Sequence, residues 1–528
     1  MVTTSQDPLR EDHARRAMTQ RHPLTHRRTA GTPLPGRAVA GGAGHTAAVV
    51  GSGPNGLAAA VALARAGLEV TVHEAASSPG GALRSAPALG PGTVVDLGAG
   101  VHPFGVASPF FSALGLERHG LQWVHPDLPL AHPLEQGPAA LLHRDLARTA
   151  EDLGVDGAAW RRLVGPAVAD FDRIVPAALG PLLRVPRHPV ALARFGLRGL
   201  APSTVLARAL FRQPATRALF AGLAAHSVMP LHHPLTSVFG VLFGAAGHAV
   251  GWPVARGGSQ AIADALVAEL TAHGGRVVTS SPVTDLRQLA DAHGRAPAVT
   301  MLDTTPAAAV ALAGDRLAPA VRSGLSAWRH GPGLYKVDYL LDGPVPWADP
   351  RVNGAGTVHV GGTLEELATA EGLTHRGQDP ERPFVLVSQQ SLFDAGRAPG
   401  GQTVLYAYAH LAPGTRQAAG PLVDAQIERF APGFRDRIVR RVNSSPADLQ
   451  ARNANLVGGD VVGGSMAGTQ LVLRPRPTLS PYDLGPGLYL CSASAPPGGG
   501  VHGMAGAHAA AAALRDLGLR PEPLAPPR

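Results

Sequence analysis

The 528-residue sequence holds one cysteine, Cys491, and one lysine, Lys336. A single thiol forms no intramolecular disulfide and offers no CxxC pair, which excludes thiol–disulfide exchange as the chain's own chemistry. Cys491 ends the apolar run Leu488–Cys491 and reads as core filler. No apolar run of about 18 residues is free of charge and breakers, so no membrane-spanning helix is expected. Acidic residues are missing from Ile174 to Ala263, a strongly apolar stretch that eight arginines and several prolines punctuate. It reads as helices in an arginine-biased chain. The alternative is a patch on a membrane surface, with arginines reaching toward anionic headgroups.

There is no zinc-ligand spacing and no basic strand studded with aromatics, so neither metal nor nucleic acid is expected as a partner. The net charge of +8 does not alter that, because residues 1–46 carry seven arginines against Asp7, Glu11 and Asp12, half of the excess. That segment is expected to be a disordered basic tail; it lacks the apolar core of a secretory signal. His226, His232, His233 and His248 show no paired ligand spacing and no adjacent nucleophile, and read as bonded core or surface histidines.

The most informative stretch runs from Ala47 to Glu74. Ala47–Val50 reads as a buried strand, and Gly51, Ser52, Gly53, Pro54, Asn55 and Gly56 supply GxGxxG directly after it. A helix follows, with Leu57, Val61 and Ala64 on one face, and Gly67 placed to end it. Glu69–His73 alternates as a second strand. In such a βαβ unit the first glycine makes the tight turn, the second lets the backbone approach a pyrophosphate, and the third lets helix and strand pack closely. The anion sits at the helix amino end. Glu74, 18 residues past Gly56, is placed for the hydroxyls of an adenosine ribose. The next residues, Ser77 to Gly81, are too rich in breakers for another crossover helix. A second glycine-rich turn opening a helix, APPGGGVHGMAGAHAAAAAL, stands near the carboxyl end. Gly354–Gly356 and Gly331–Gly333 lead into strands instead, so no second nucleotide fingerprint is present and NAD(P)H is not expected as a resident cofactor.

These stretches resemble the phytoene-desaturase-like branch of the flavin amine oxidase superfamily, and within it the group called pyridine nucleotide-disulfide oxidoreductase domain-containing protein 2. The resemblance rests on GSGPNGLAAA from Gly51, VVDLGAGVHPF from Val94, GHAVGWPVARGGSQAIADAL from Gly247, GTVHVGGTLEEL from Gly356, IERFAPGFRDRIV from Ile427 and GLYLCSASAPPGGGVHGMAG from Gly487. It implies an α/β fold with bound FAD: a Rossmann-like FAD-binding lobe, discontinuous in sequence, and a substrate lobe of mostly antiparallel sheet plus helices. The implied divisions are 1–46, tail; 47–150, FAD-binding unit and start of the substrate lobe; 151–255, helical substrate region; 256–330, return to the FAD lobe; 331–485, substrate-lobe sheet; 486–520, flavin motif; and 521–528, tail.

The resemblance places Gly80, Gly81 and Arg84 near the flavin or its phosphates, and the backbone of Val283 against the adenine. It places Gly499, Gly500 and Val501 close to the isoalloxazine, with a helix starting near Val501 that aims the Gly503 and Met504 N–H groups at the N1/C2 carbonyl edge. Where many relatives carry an aspartate for the ribityl chain, this sequence reads Ser492-Ala493-Ser494, so a hydroxyl of Ser492 or Ser494 is expected to substitute. Leu334–Leu341, Thr357–Val360, Phe384–Ser388 and Thr403–Ala409 are expected as strands roofing the flavin. Lys336 lies on the first. In amine oxidase relatives a roof lysine reaches flavin N5 through a water, a catalytic role in which a compact ammonium assists reoxidation.

The expected activity is transfer of a hydride from an apolar or amphipathic organic substrate to FAD, with oxygen or a quinone as acceptor. The alternatives are a flavin amine oxidase, whose paired-tyrosine cage is missing from the carboxyl-terminal block, and an FAD-bound regulatory protein with little turnover. A cytoplasmic location is expected, with peripheral contact at the inner face of a membrane, and homo-oligomers, as open alternatives.

Overall fold

The computed structural model describes residues 44–523. The expected tails, 1–46 and 521–528, lie outside the described residues except at their inner ends.

Two large sheets carry the architecture. In chain order their strands are β1 (Thr46–Val50), β2 (Glu69–His73), β3 (Leu128–His132), β4 (Ala140–Leu142), β5 (Arg276–Val278), β6 (Val299–Leu302), β7 (Gly333–Leu341), β8 (Ala355–Val360), β9 (Val385–Ser388), β10 (Thr403–Leu411), β11 (Ile438–Ser444), β12 (Asp483–Gly485) and β13 (Leu488–Leu490). The first sheet has the order β12-β13-β6-β1-β2-β5. All its pairs are parallel except β12 with β13. Val49, Val299, Met301 and Leu490 on its central strands are almost inaccessible to solvent, the uninterrupted apolar pattern of a sheet covered on both faces. Three chain segments more than 180 residues apart meet here, as a lobe discontinuous in sequence requires.

The second sheet has the order β11-β7-β10-β9-β8-β3-β4. It is antiparallel except where β8 pairs with β3. The four expected roof runs are all in it as β7 to β10. One boundary shifts: β12 falls inside the 331–485 segment expected for this sheet, yet pairs with β13 in the first, because Asp483 and Gly485 form a short hairpin with Leu488 and Tyr489.

The helices used below are α1 (Pro54–Arg65), α2 (Pro189–Gly199), α3 (Ser203–Leu210), α4 (Pro214–Ala225), α5 (Thr236–Ala249), α6 (Gln260–Ala272), α7 (Leu364–His375) and α8 (Met504–Asp516). The acid-free stretch is helical as expected, running through α2 to α5. Alanine-rich α1 is buried between α6 and α8; its small side chains allow close approach, and a Cβ at Gly506 of α8 would come within 1.9 Å of the Asn55 carbonyl oxygen. No helix of the described residues is long and apolar enough to cross a membrane.

Candidate active site

The GxGxxG turn, the carboxyl-terminal glycine block and the face of the roof sheet line one continuous cavity. Gly53, Pro54 and Asn55 stand at one end; Ser492, Ala493, Ser494, Gly499, Gly500 and Val501 along a side; Leu334, Lys336, Thr357, Leu386, Tyr406, Tyr408 and His410 form the roof. Stretches some 440 positions apart in sequence therefore share one site.

At the turn, Gly51 adopts φ +96°, a left-handed conformation that favours glycine. Gly53 and Gly56 are required by proximity: a Cβ at Gly53 would lie 2.6 Å from Asp303 Oδ2, and one at Gly56 would lie 2.2 Å from the Gly51 carbonyl oxygen. Ser52 is buried, and its backbone N–H donates to Glu74 Oε2 at 2.9 Å. The other Glu74 oxygen accepts from Ala76 N–H at 2.8 Å. Glu74 thus stands beside the turn, anchored at the end of β2. The Gly80 N–H donates to the Ser52 carbonyl at 3.0 Å, and Gly81 abuts the Gly53 Cα. Arg84 turns away from the cavity: its Nε donates to the Gly81 carbonyl and its Nη2 to the Arg452 carbonyl. Val283 packs on the core just beyond β5, two residues past Ser281, whose N–H donates to the Glu74 carbonyl.

The carboxyl-terminal block departs from expectation at its helix. Helix α8 begins at Met504, not near Val501, because Gly503 caps it in a left-handed conformation, φ +66°. The Met504 N–H is occupied by His502 Nδ1 at 3.1 Å, and Gly503 is pressed against Phe111 and Ala58. Neither lines the cavity. Ser494 does, and its hydroxyl donates to the Gly463 carbonyl at 2.8 Å.

Several site residues carried no sequence signal. Asp303, at the end of β6, accepts from Gly56 N–H at 3.0 Å. Burial, with the Glu74 charge adding to it, pushes this carboxyl up to about 7 despite the bonds from Gly56 and Gly53. On β10, Tyr406, Tyr408 and His410 alternate onto the cavity face, an arrangement that period-2 geometry dictates once the strand is placed. The two tyrosine rings lie 5.9 Å apart at 89°. Lys336 is 2% exposed, sits over the Tyr406 ring at 4.3 Å and is paired with buried Asp338. Burial lowers the Lys336 ammonium and raises the Asp338 carboxyl, each opposed by the partner's charge.

The far end is apolar, with Val228, Phe243 and Trp252. Two histidines join them. His226 Nε2 and His359 Nε2 are 3.0 Å apart, and His410 Nδ1 is 2.8 Å from Glu371 Oε1 of α7. Burial pushes His226 down to about 3, so this imidazole is neutral. His248 accepts from Trp160 Nε1 at 3.1 Å. His248 is thus bonded and buried and His226 bonded and half-buried, as read from sequence, and His226 also faces the cavity.

The site fits a dinucleotide. The turn has no side chains where a pyrophosphate approaches, the buried Asn55 Oδ1 and Thr357 Oγ1 on the cavity wall lack protein partners, and the glycine block leaves backbone open to the cavity. A raised Asp303 implies a pH effect. An unfolded aspartate ionises near ~3.9, so between pH ~4 and 7 the unfolded state releases a proton that the folded state keeps. Stability of the cofactor-free protein therefore falls as pH rises through that window and stays low above it. Three pKa units represent about 4 kcal/mol. An amide keeps the Gly56 bond but leaves its own NH2 unpaired, at a cost of about 2 kcal/mol at any pH, so Asp303→Asn is expected to add about 2 kcal/mol at pH 8 and to remove about 2 kcal/mol below pH ~4. Urea unfolding at both pH values measures this; an equal effect at both would contradict it.

Comparison with known proteins agrees with this geometry. The family model for flavin containing amine oxidoreductases matches residues 55–503. Pyridine nucleotide-disulfide oxidoreductase domain-containing protein 2 of Rattus norvegicus is 26% identical over 568 aligned residues, covering 90% of this chain and 94% of that protein. Hydroxyneurosporene desaturase of Cereibacter sphaeroides is 32% identical over 284 residues, covering 51% of this chain and 55% of that one. The crystal structure of an oxidoreductase from Methanosarcina mazei superposes with a TM-score of 0.55 at 16% identity, covering 87% and 98% of the two chains, a likeness of fold.

Proposed function

The chain belongs to the flavin containing amine oxidoreductase family and is an FAD-dependent oxidoreductase; we propose that its hydride donor is an apolar or amphipathic molecule dehydrogenated at a C–C bond. When bound, FAD supplies the hydride acceptor. The observation that carries the reading is the substrate end of the cavity: Val228, Phe243, Trp252 and Leu386 with a neutral imidazole, and, among the described residues, no carboxylate free to hold an ammonium. Asp460, the one acid apart from Asp303 among the described residues lining the cavity, is spent on His330 Nδ1, Gly331 N–H and Val462 N–H. A cationic amine would also meet the Lys336 ammonium. Roof tyrosines Tyr406 and Tyr408 supply the aromatic faces missing from the carboxyl-terminal block, and they keep amine oxidation as the second reading.

The protein's share of the work follows from its geometry. The turn and Glu74 would hold the adenosine half of bound FAD, with Ser52 fixing the carboxylate. The apolar wall excludes water and orients the substrate against the roof. Lys336, held by Asp338, lines the roof of the cavity, where its ammonium would stabilise negative charge if bound FAD were reoxidised by oxygen or a quinone.

Anaerobic titration of the holoenzyme with a lipid or carotenoid extract, with polyamines and with NAD(P)H separates the readings. Bleaching of the flavin bands by the lipid extract is expected. Bleaching by amines alone would replace this reading by amine oxidation, and a flavin that no donor reduces would replace it by a regulatory role. Lys336→Met is expected to slow reoxidation of photoreduced enzyme by oxygen about a hundredfold. Because the substitution leaves Asp338 alone, Lys336→Met with Asp338→Asn serves as the control and should be equally slow. Reoxidation at the wild-type rate in both would remove Lys336 from the mechanism.

A further inference from the structure

Eight of the thirteen large apolar side chains left exposed on the described surface fall between residues 182 and 210, Leu182, Val185, Val190, Leu197, Leu200 and Val205 among them. Helix α2 shows why this is not chance scatter. Its inward face, Ala191, Phe195 and Gly199, is buried, with Gly199 set tightly against Val238 of α5. Its outward face repeats the apolar pattern at Val190 and Leu197, which are 69% and 73% exposed, and Val185 before it is 92% exposed. A helix apolar on both faces is normally covered on both.

The charge that this segment itself contributes has one sign. The segment contains no acid. Arg194 and Arg208 are drawn to Asp170 and Glu365 from outside it, whereas Arg184, Arg187, Arg198 and Arg212 have no carboxylate partner among the described residues. Apolar side chains interleaved with unpaired cations match a bilayer surface, where the former enter the acyl boundary and the latter meet phosphates. A second copy of this chain is a poor occupant, because a two-fold contact would set arginines against arginines.

We propose that the face formed by residues 182–212 docks on a membrane containing anionic phospholipid. Helices α4 and α5 pack beneath it and lead to His226 and Phe243 on the cavity wall. The apolar end of the cavity is thereby brought close to the lipid phase, a route for a substrate with little solubility in water. The docking itself does not rest on the choice of substrate.

The test is co-sedimentation of the full-length holoenzyme with vesicles of phosphatidylcholine, alone or mixed with phosphatidylglycerol, at low and high salt. Pelleting is expected only with the mixed vesicles and is weakened by salt. Val190→Ser, Leu197→Ser and Val205→Ser together should weaken partitioning by about tenfold or more, and Arg184→Gln, Arg187→Gln and Arg198→Gln together by about a hundredfold. All six positions are at the surface, so flavin absorbance and the unfolding midpoint should stay as in the wild type. Failure to pellet with phosphatidylglycerol, equal pelleting with phosphatidylcholine alone, or wild-type binding by both variants would overturn the proposal. So would a dimer in light scattering that the serine variant converts to monomer, which would assign the face to a second copy.

Discussion

Gly56→Ala is expected to yield a folded protein that leaves gel filtration without flavin. The added Cβ would stand 2.2 Å from the Gly51 carbonyl oxygen and 2.9 Å from Asp303 Oδ2. The first of these is backbone at the turn itself, so nothing flexible gives way and α1 must move off β1. Overpacking of this kind costs about 3 kcal/mol, roughly a hundredfold in affinity if the whole displacement falls on the pyrophosphate site. The helix cannot retreat freely, since Asn55 is itself in contact with Gly506 of α8. Gly196→Ala is the matched control. That glycine lies inside α2, where an added Cβ would meet nothing within 4 Å, and alanine there should add about 0.8 kcal/mol through helix propensity with flavin retained. Full occupancy in Gly56→Ala would show that the turn does not approach the cofactor.

The second large effect concerns Arg397, whose guanidinium is fully buried. It donates to Asp96 Oδ2 at 2.7 Å, to Asp394 Oδ2 at 3.0 Å and to the Ala255 carbonyl at 2.6 Å. Asp96 also accepts from Ser259 N–H at the start of α6 and from the Ser85 hydroxyl. One cation therefore ties the 94–100 cavity wall, α6 and the roof together. Arg397→Met leaves two buried carboxylates without their counter-charge and is expected to lower stability by about 3–5 kcal/mol. Lysine is a weak substitute, because a point charge cannot reproduce the three-way fork. The pH dependence distinguishes this from simple loss of packing. Burial alone would raise Asp96, but Arg397 and the bonds from Ser259 and Ser85 hold it below its ordinary value. A depressed carboxylate stabilises above its unfolded pKa of about 3.9 and loses that contribution as pH falls through the lower folded value. In the variant the buried acids favour their protonated forms, so the gap between wild type and Arg397→Met should narrow as pH falls from 7 toward 4. A gap independent of pH would point to packing instead.

What the sequence made legible, and what it hid, have physical causes. The two strands of the βαβ unit could be read to within a residue because each part leaves a local mark: branched strand, glycine turn, small-residue helix, acid at the second strand's end; the helix itself starts at Pro54, inside the glycine motif rather than after Gly56. The roof strands were visible as apolar runs, but not which of their residues would face the cavity. Tyr406, Tyr408 and His410 alternate along β10 and converge with Lys336 and His226 only after a seven-stranded sheet and two helices are assembled. Asp303 was hidden for a similar reason. It is an ordinary aspartate after a strand until β6 pairs with β1 and sets it beneath Gly53 and Gly56. The start of α8 was misread because a histidine side chain, His502, occupies the amide that the helix amino end was expected to offer.

The central claim is that two distant glycine-rich stretches enclose one FAD. The most direct measurement is the absorption spectrum of purified protein after incubation with FAD and removal of the excess. A band near ~450 nm at about one flavin per chain, lost in Gly56→Ala, is the predicted result. A chain that is folded by circular dichroism yet stays colourless would contradict it.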